Sequence, residues 1–158
     1  MLMYYLCTLR SPRDGRLVSR ATILASRHGY HDGLSYMNLD ALRKHCATLS
    51  GTTRDTKWGA DEVYSVGGKM FAVFWIDKGK ARTVSFKCDP ERFLELTDQK
   101  GIVPAPYLAR AHWVQVQDAK ALIDPVAREL VGRSYDLVFS RLTRKQQTEI
   151  RGTPARDR

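Results

Sequence analysis

Residues 62–87, EVYSVGGKMFAVFWIDKGKARTVSFK, decide the fold because they contain three strand patterns joined by two short turns. Residues 62–66, 70–76 and 81–87 are rich in β-branched and aromatic side chains. The dipeptide GG at 67–68 and the segment DKGK between the patterns are typical of hairpin turns. Residues 70–76 are apolar on both faces, which is typical of a strand inside a sheet. The stretch therefore predicts three strands that pair in antiparallel fashion.

Helical patterns lie on both sides of these strands. Asn38 can cap a helix. The apolar residues of that helix recur at spacings of three and four, at Leu39, Leu42, Cys46 and Leu49. Further along, Asp89-Pro90 and Asp124-Pro125 are typical of helix starts. The first helix therefore precedes the strands, and at least two helices follow them.

The last helices are predicted from two further signals. Gly132 is expected to end the helix that begins at Asp124, and Ser134 is expected to cap a final helix. The whole order is helix, three linked strands, helix, strand and two helices. This order predicts an α+β fold, a two-layer sandwich in which helices cover one face of an antiparallel sheet. The other face is expected to be open to water.

The segment PAPYLARAHWVQV, residues 104–116, contains two prolines and then a strand pattern. The prolines favour an extended entry. Alternation along the strand groups His112 with Val114 and Val116, and it places Trp113 with glutamines on the other face. Two interpretations remain open. Trp113 is either an exposed contact residue on the open face or is covered by a terminal helix or a loop.

The charge of the chain is unevenly distributed. The net charge is +9, of which residues 1–36 carry +3, residues 37–150 carry +4 and residues 151–158 carry +2. Residues 1–36 are rich in Arg and Ser without a sustained period, and we predict a disordered extension, with an organelle transit peptide as the alternative. We expect translation to start at Met37, a domain over residues 37–150 and a flexible basic tail over 151–158.

Other features narrow the classes of protein. Cys7, Cys46 and Cys88 are odd in number and widely spaced, so reduced thiols in the cytoplasm are expected rather than disulfides or a metal site. No apolar run is long enough to span a membrane. The sequence lacks GxGxxG, phosphate-loop, HExxH and GxSxG patterns. We therefore predict a cytoplasmic protein, monomeric and without cofactor or metal.

Several segments of the chain, taken together, resemble a known family. These are MNLDALRKHCATLSGTT, KWGADEVYSVGGKMFAVF, VSFKCDPERFLEL, GIVPAPYLARAHWVQV and SYDLVFSRL. By them the chain is identified as a member of the YjbR/MmcQ family of small bacterial proteins. The resemblance implies a frataxin-like (CyaY-like) fold and a DNA-binding protein whose hairpins act as wings. Residues 1–36 have no counterpart in the family pattern.

A DNA-binding role requires cations for phosphates and aromatic platforms for bases. The hairpin segment DKGKARTV and neighbouring positions offer such groups. The predicted nucleic-acid contacts are Lys57, Trp58, Lys69, Lys78, Lys80, Arg82, Lys87, Arg110 and Trp113. A Lys-rich turn is also common as a plain solvated turn, so this pattern has low specificity.

Three other functions compete with DNA binding. A protein-interaction or small-ligand module would use a face made of Tyr107, His112 and Trp113, with Trp58 as a further anchor. An enzyme could be assembled around His112 or Cys88, the latter just before a helix N-terminus, but no spacing demands it and no catalytic residue is predicted. Iron handling would need carboxylates on the first helix, which offers Asp40 alone against two cations.

Overall fold

The computed structural model describes residues 9–10, 17–18, 35–59 and 61–152. Two short strands, β1 (Leu9–Arg10) and β2 (Leu17–Val18), pair with each other. The main sheet contains β3 (Thr52–Lys57), β4 (Asp61–Val66), β5 (Lys69–Asp77), β6 (Lys80–Lys87), β7 (Ile102–Pro104) and β8 (Trp113–Val116). The α-helices are α1 (Leu39–Thr48), α2 (Pro90–Thr97), α3 (Asp124–Phe139) and α4 (Arg144–Gly152).

The main sheet has the order β3-β4-β5-β6-β8-β7, and every pairing in it is antiparallel. The predicted hairpins β4–β5 and β5–β6 are confirmed, and β5 lies inside the sheet as expected. The sequence analysis missed both edge strands. β3 reads TTRDTK and is almost entirely exposed, so it has no apolar alternation to detect. β7 has three residues and ends at Pro104, a residue that only an edge strand tolerates.

The helices α1, α2 and α3 cover one face of the main sheet, which confirms the predicted α+β fold. Their apolar side chains belong to the same buried cluster as alternate residues of the strands. Phe74 and Phe86 from the sheet, for example, share this cluster with Leu42 of α1 and Leu130 of α3. Burial of these side chains stabilises the fold by roughly 1.5–3 kcal/mol each.

The opposite face of the sheet will be called the open face. By the pairing register it contains Asp61, Val63, Val73, Trp75, Thr83, Ser85 and Gln115. Val63 is fully buried on this face, yet it lies outside the main core cluster. Trp75 is 48% exposed. The open face is therefore partly apolar and accessible at one end.

The prediction that Gly132 ends a helix is wrong. α3 continues through Gly132 to Phe139, and Ser134 lies buried in the middle of it rather than at a cap. A glycine in a helix interior costs about 1 kcal/mol. Val126, Leu130 and Val138 of the same helix are buried in the core and outweigh that cost. The last helix, α4, lies further along the chain than predicted.

The ends of the predicted domain differ slightly from the structure. Ser35 accepts a hydrogen bond from the Asp124 N–H, and Tyr36 forms a β-bridge with Ile123, so the described contacts begin before Met37. α4 extends to Gly152, two residues into the predicted tail. Residues 9–10 and 17–18, which lie in the extension expected to be disordered, form the β1–β2 pair instead. For the rest of 1–34 and for 153–158, the expected disorder lies outside the described residues. In the described ranges, no helix is long and apolar enough to cross a membrane.

Candidate nucleic-acid interface

Two hairpin turns lie side by side at one end of the main sheet. The β3–β4 turn joins the paired residues Lys57 and Asp61, and the β5–β6 turn joins the paired residues Asp77 and Lys80. Asp61 is also the partner of Trp75, two residues before Asp77. The antiparallel register therefore brings both turns to the same end of the sheet, although they are separated in sequence.

Exposed aromatic and cationic residues surround these turns and define what we call the two-turn surface. Its members are Lys57, Trp58, Trp75, Lys78, Lys80 and Arg82. Trp58 is 69% exposed and Trp75 is 48% exposed, although large aromatic side chains are usually well buried. The sequence analysis missed Trp75. Asp77 could have revealed it, because a charged residue two positions along the same strand indicates that this face of the strand is exposed to solvent.

The backbone of both turns is unusual at a non-glycine residue. Trp58 has φ 51° and Lys78 has φ 49°, and each precedes a glycine that also has positive φ. Such a left-handed conformation costs a non-glycine residue roughly 1–2 kcal/mol. Strained residues of this kind cluster at functional sites. At Lys78 and Gly79 the positive φ values are those of an ordinary two-residue hairpin turn, so what is unusual there is the residue type, a lysine where asparagine is preferred.

The charge of the two-turn surface is only moderately positive. Arg82 donates two hydrogen bonds to Asp77 Oδ2, at 3.2 and 3.0 Å. Asp61 lies on the open face nearby, and burial raises the pKa of its carboxyl group. Lys57 and Lys80 are exposed. The lysines are therefore the cations most available to a ligand, and the aromatic residues distinguish this surface more than its charge does.

The remaining predicted cations lie at the opposite end of the sheet. Lys69 begins β5 and Lys87 ends β6, while Arg110 lies in the loop before β8. A strand rise of about 3.3 Å per residue puts Lys69 roughly 26 Å from Asp77. Lys87 donates to the Ala111 carbonyl, and burial followed by the nearby charge of Arg141 lowers its pKa. The nine residues predicted from sequence thus do not form one surface.

The interpretation of Trp113 as an exposed contact residue is wrong, and the alternative that it is covered is confirmed. Its side chain is 5% exposed. The alternation along β8 was correct from Trp113 onward, but the loop that precedes the strand folds back on it. The Ala105 N–H donates to the Trp113 carbonyl, and the Trp113 N–H donates to the Leu108 carbonyl. Loop packing of this kind has no local signal in the sequence.

The rest of the predicted partner face is also altered by this loop. His112 is not in the strand but adopts φ 58° just before it, and its ring packs edge-on against Phe93 at 5.7 Å between centroids. Tyr107 is fully exposed, with φ 61°. Of the three residues predicted for a partner or ligand face, Tyr107 alone is freely accessible.

Cys88 lies in a setting that disfavours thiolate chemistry. Its side chain is 3% exposed, and its Sγ donates to the His112 carbonyl at 3.3 Å. Burial, followed by the charge of Asp89, raises the pKa of the Cys88 thiol to about 11. Burial also raises the pKa of Cys46 to about 12. A nucleophilic cysteine needs a lowered pKa and access to solvent.

We predict that neither of these thiols reacts with a disulfide reagent in the native protein near neutral pH. A Cys7→Ser variant would be treated with 5,5′-dithiobis(2-nitrobenzoate) before and after unfolding in guanidinium chloride. Slow native labelling and two thiols after unfolding are expected, because the folded state holds both groups protonated. The raised pKa also predicts that stability falls as pH rises above the unfolded thiol value of about 8.5. Rapid native labelling of Cys88 would contradict the prediction.

Metal-ligating groups are not clustered in the parts of the chain that the structure describes. No set of three or more His, Cys, Asp or Glu side chains there could hold a metal ion. Asp40, the carboxylate on α1, accepts a hydrogen bond from Arg43 at 2.8 Å.

The fold and this surface define a small α+β protein with an open antiparallel sheet and an aromatic, cationic end. The YjbR family model matches residues 47–137, more than half of the chain, so the chain belongs to the YjbR family. It is 27% identical over 92 residues to the uncharacterized protein YbdF of Escherichia coli O157:H7, spanning 57% of this chain and 74% of that protein.

Solved structures support the same fold. The Deinococcus radiodurans protein DR2400, described by a DUF419 domain, superposes with a TM-score of 0.65 and 26% identity, covering 77% of this chain and 94% of that one. A Pseudomonas syringae protein superposes with a TM-score of 0.50 and 21% identity, covering 65% and 99%, and this likeness concerns the fold alone. The predicted family is confirmed, and the comparison with frataxin-like folds stays a prediction.

Proposed function

We propose that this protein binds nucleic acid, with DNA as the target, through the two-turn surface. The observation that carries the proposal is the pair of exposed tryptophans, Trp58 and Trp75, beside the lysines of two adjacent hairpin turns. Aromatic side chains stack on unpaired bases, and lysines contact the phosphates between them. A duplex hides the faces of its bases, so the aromatic content favours single-stranded DNA.

Both turns belong to one sheet of one chain and lie at the same end of it. The proposed role therefore needs one copy of the chain and no cofactor. We propose a non-enzymatic, monomeric DNA-associated protein of the cytoplasm. A protein or small-ligand module based on Tyr107 remains the competing function. That face lies at the other end of the sheet, so variants of each end separate the two.

The test compares matched cation variants of the full-length protein. Lys78→Asn with Lys80→Gln removes two charges, and asparagine before glycine is the preferred sequence for such a turn, so the fold is retained. Fluorescence anisotropy with a labelled single strand would be measured over a range of salt. If both lysines contact phosphates, the slope of log affinity against log salt falls by about 1.4, or 0.7 per contact.

The control for this experiment is Lys69→Gln with Arg110→Gln, which also removes two charges but at the opposite end of the sheet. Its charge change acts on the same chain and the same tails, so long-range effects of net charge are matched. We expect its salt slope to stay close to the unmodified value. Equal reductions at both ends would assign binding to overall charge, and absence of binding at low salt would refute the proposed function.

A further inference from the structure

A cavity of about 310 Å³ opens between the two hairpin turns at this end of the sheet, on the face that the helices cover. The glycines of the turns, Gly59 and Gly79, form part of its wall. Thr56, Ile76 and Lys78 supply side chains to the same wall. Its volume is at the lower end of the roughly 300–1,000 Å³ typical of ligand pockets. The cavity therefore suits a small group rather than a large cofactor.

The inner wall of the cavity contains a buried carboxylate held by arginines. Glu62 is 6% exposed. Arg43 Nε donates to Glu62 Oε2 at 2.5 Å, and Arg54 lies 3.1 Å from Glu62 Oε1. Burial opposes the charge of Arg43, but the hydrogen bonds to Asp40 and Glu62 outweigh burial and raise its pKa. Both carboxylate oxygens are thus engaged by cations within the protein.

The groups that remain for a ligand are mainly hydrogen-bond donors. The bonds to Glu62 and Asp40 account for three of the five N–H groups that a guanidinium carries. Lys78 adds an ammonium group and Thr56 a hydroxyl, while Ile76 adds an apolar wall. A fitting ligand therefore has a flat apolar face, an edge rich in acceptors and a nearby negative charge.

We propose that this cavity receives one unpaired nucleotide of the bound strand, and that guanine fits it best. Among the bases, guanine presents two adjacent acceptors, O6 and N7, and arginine or lysine is their usual partner. The phosphate of the same nucleotide would lie at the turn beside Lys78. This inference rests on the proposed function and adds to it a site that selects one base from the strand.

The test uses two labelled oligothymidine strands, one with a single central guanine and one with an abasic site there. The full-length protein is expected to bind the guanine strand about tenfold more tightly than the abasic strand, because only guanine offers a ring to stack and acceptors to the donors of the cavity. Thr56→Phe fills the cavity from edge strand β3, where an aromatic residue is well tolerated. It should lower affinity for the guanine strand to the abasic level and leave abasic binding unchanged.

The matched control is Thr53→Phe, on the same strand but facing the open side, as its pairing with Ser65 shows. This variant should keep the tenfold preference. Equal affinities of the unmodified protein for both strands, or a preference that survives Thr56→Phe, would overturn the cavity proposal while strand binding itself persists. Failure of the unmodified protein to bind either strand would instead refute the proposed function.

Discussion

Replacing Trp58 and Trp75 together by alanine should weaken single-stranded DNA binding about 100-fold, since stacking contributes roughly 1–3 kcal/mol per base. Each single variant is expected to lose about tenfold. Trp58 is 69% exposed, so its removal costs little packing, whereas Trp75 is 48% exposed and its replacement should lower the unfolding midpoint by several degrees while the protein stays folded. Anisotropy of a labelled strand measures the affinity, and thermal unfolding followed by circular dichroism checks the fold.

Two further variants make this experiment specific. Trp58→Phe with Trp75→Phe keeps a flat ring at each position and should restore most of the affinity, which a loss of fold would not allow. Tyr107→Ala removes a fully exposed aromatic side chain at the opposite end of the sheet and should have no effect. If Tyr107→Ala instead abolishes binding and the double tryptophan variant does not, the interface lies at the other end.

Replacing Ser134 by alanine should lower the free energy of unfolding by about 2–4 kcal/mol, because two polar groups lose their partner. The Ser134 hydroxyl donates to the Phe71 carbonyl at 2.6 Å and accepts from the Lys87 N–H at 2.9 Å. Ala72 and Phe86 form the final pair of the β5–β6 ladder, and Phe71 and Lys87 are the next residues beyond that pair on the two strands. The Ser134 hydroxyl of α3 thus replaces the backbone hydrogen bond that β5 and β6 do not form with each other at this position.

The position of Phe71 explains why this backbone hydrogen bond between the strands is missing. The register between β4 and β5 shifts at this point, because Tyr64 pairs with Ala72 while Ser65 pairs with Met70. Phe71 is therefore the extra residue of a β-bulge, and bulges disrupt the ladder locally. A buried carbonyl left without a partner there is costly. The bulge and the serine of α3 are consequently expected to depend on each other.

Chemical denaturation of Ser134→Ala and of Ser140→Ala tests this dependence. Ser140 follows the last residue of the same helix and is exposed, and its hydroxyl donates to the Leu137 carbonyl within that helix, so its replacement should change stability by less than about 0.5 kcal/mol. An unchanged denaturant slope would show that the unfolding transition itself is preserved. A loss below 0.5 kcal/mol for Ser134→Ala would contradict the role assigned to its hydroxyl.

The sequence by itself determined the features that rest on local patterns. Strands β4, β5 and β6 were predicted because their sequences are rich in β-branched and aromatic residues and the turns between them contain glycine. The Asn38 cap of α1 was predicted as well, and its side chain accepts from the Ala41 N–H at 3.0 Å. The cations Lys78 and Lys80 of the β5–β6 hairpin were predicted in the same way, because four consecutive residues are enough to identify a hairpin turn.

The tertiary structure decided the features that depend on residues far apart in the chain. Trp113 is buried, with its backbone bonded to the loop before β8, and the core overrides the helix-ending signal of Gly132. Arg43 and Glu62 meet across 19 positions to form the inner wall of the cavity. The cavity itself exists because antiparallel pairing sets two separate turns side by side. Such contacts follow from long-range packing, and no short stretch of sequence encodes them.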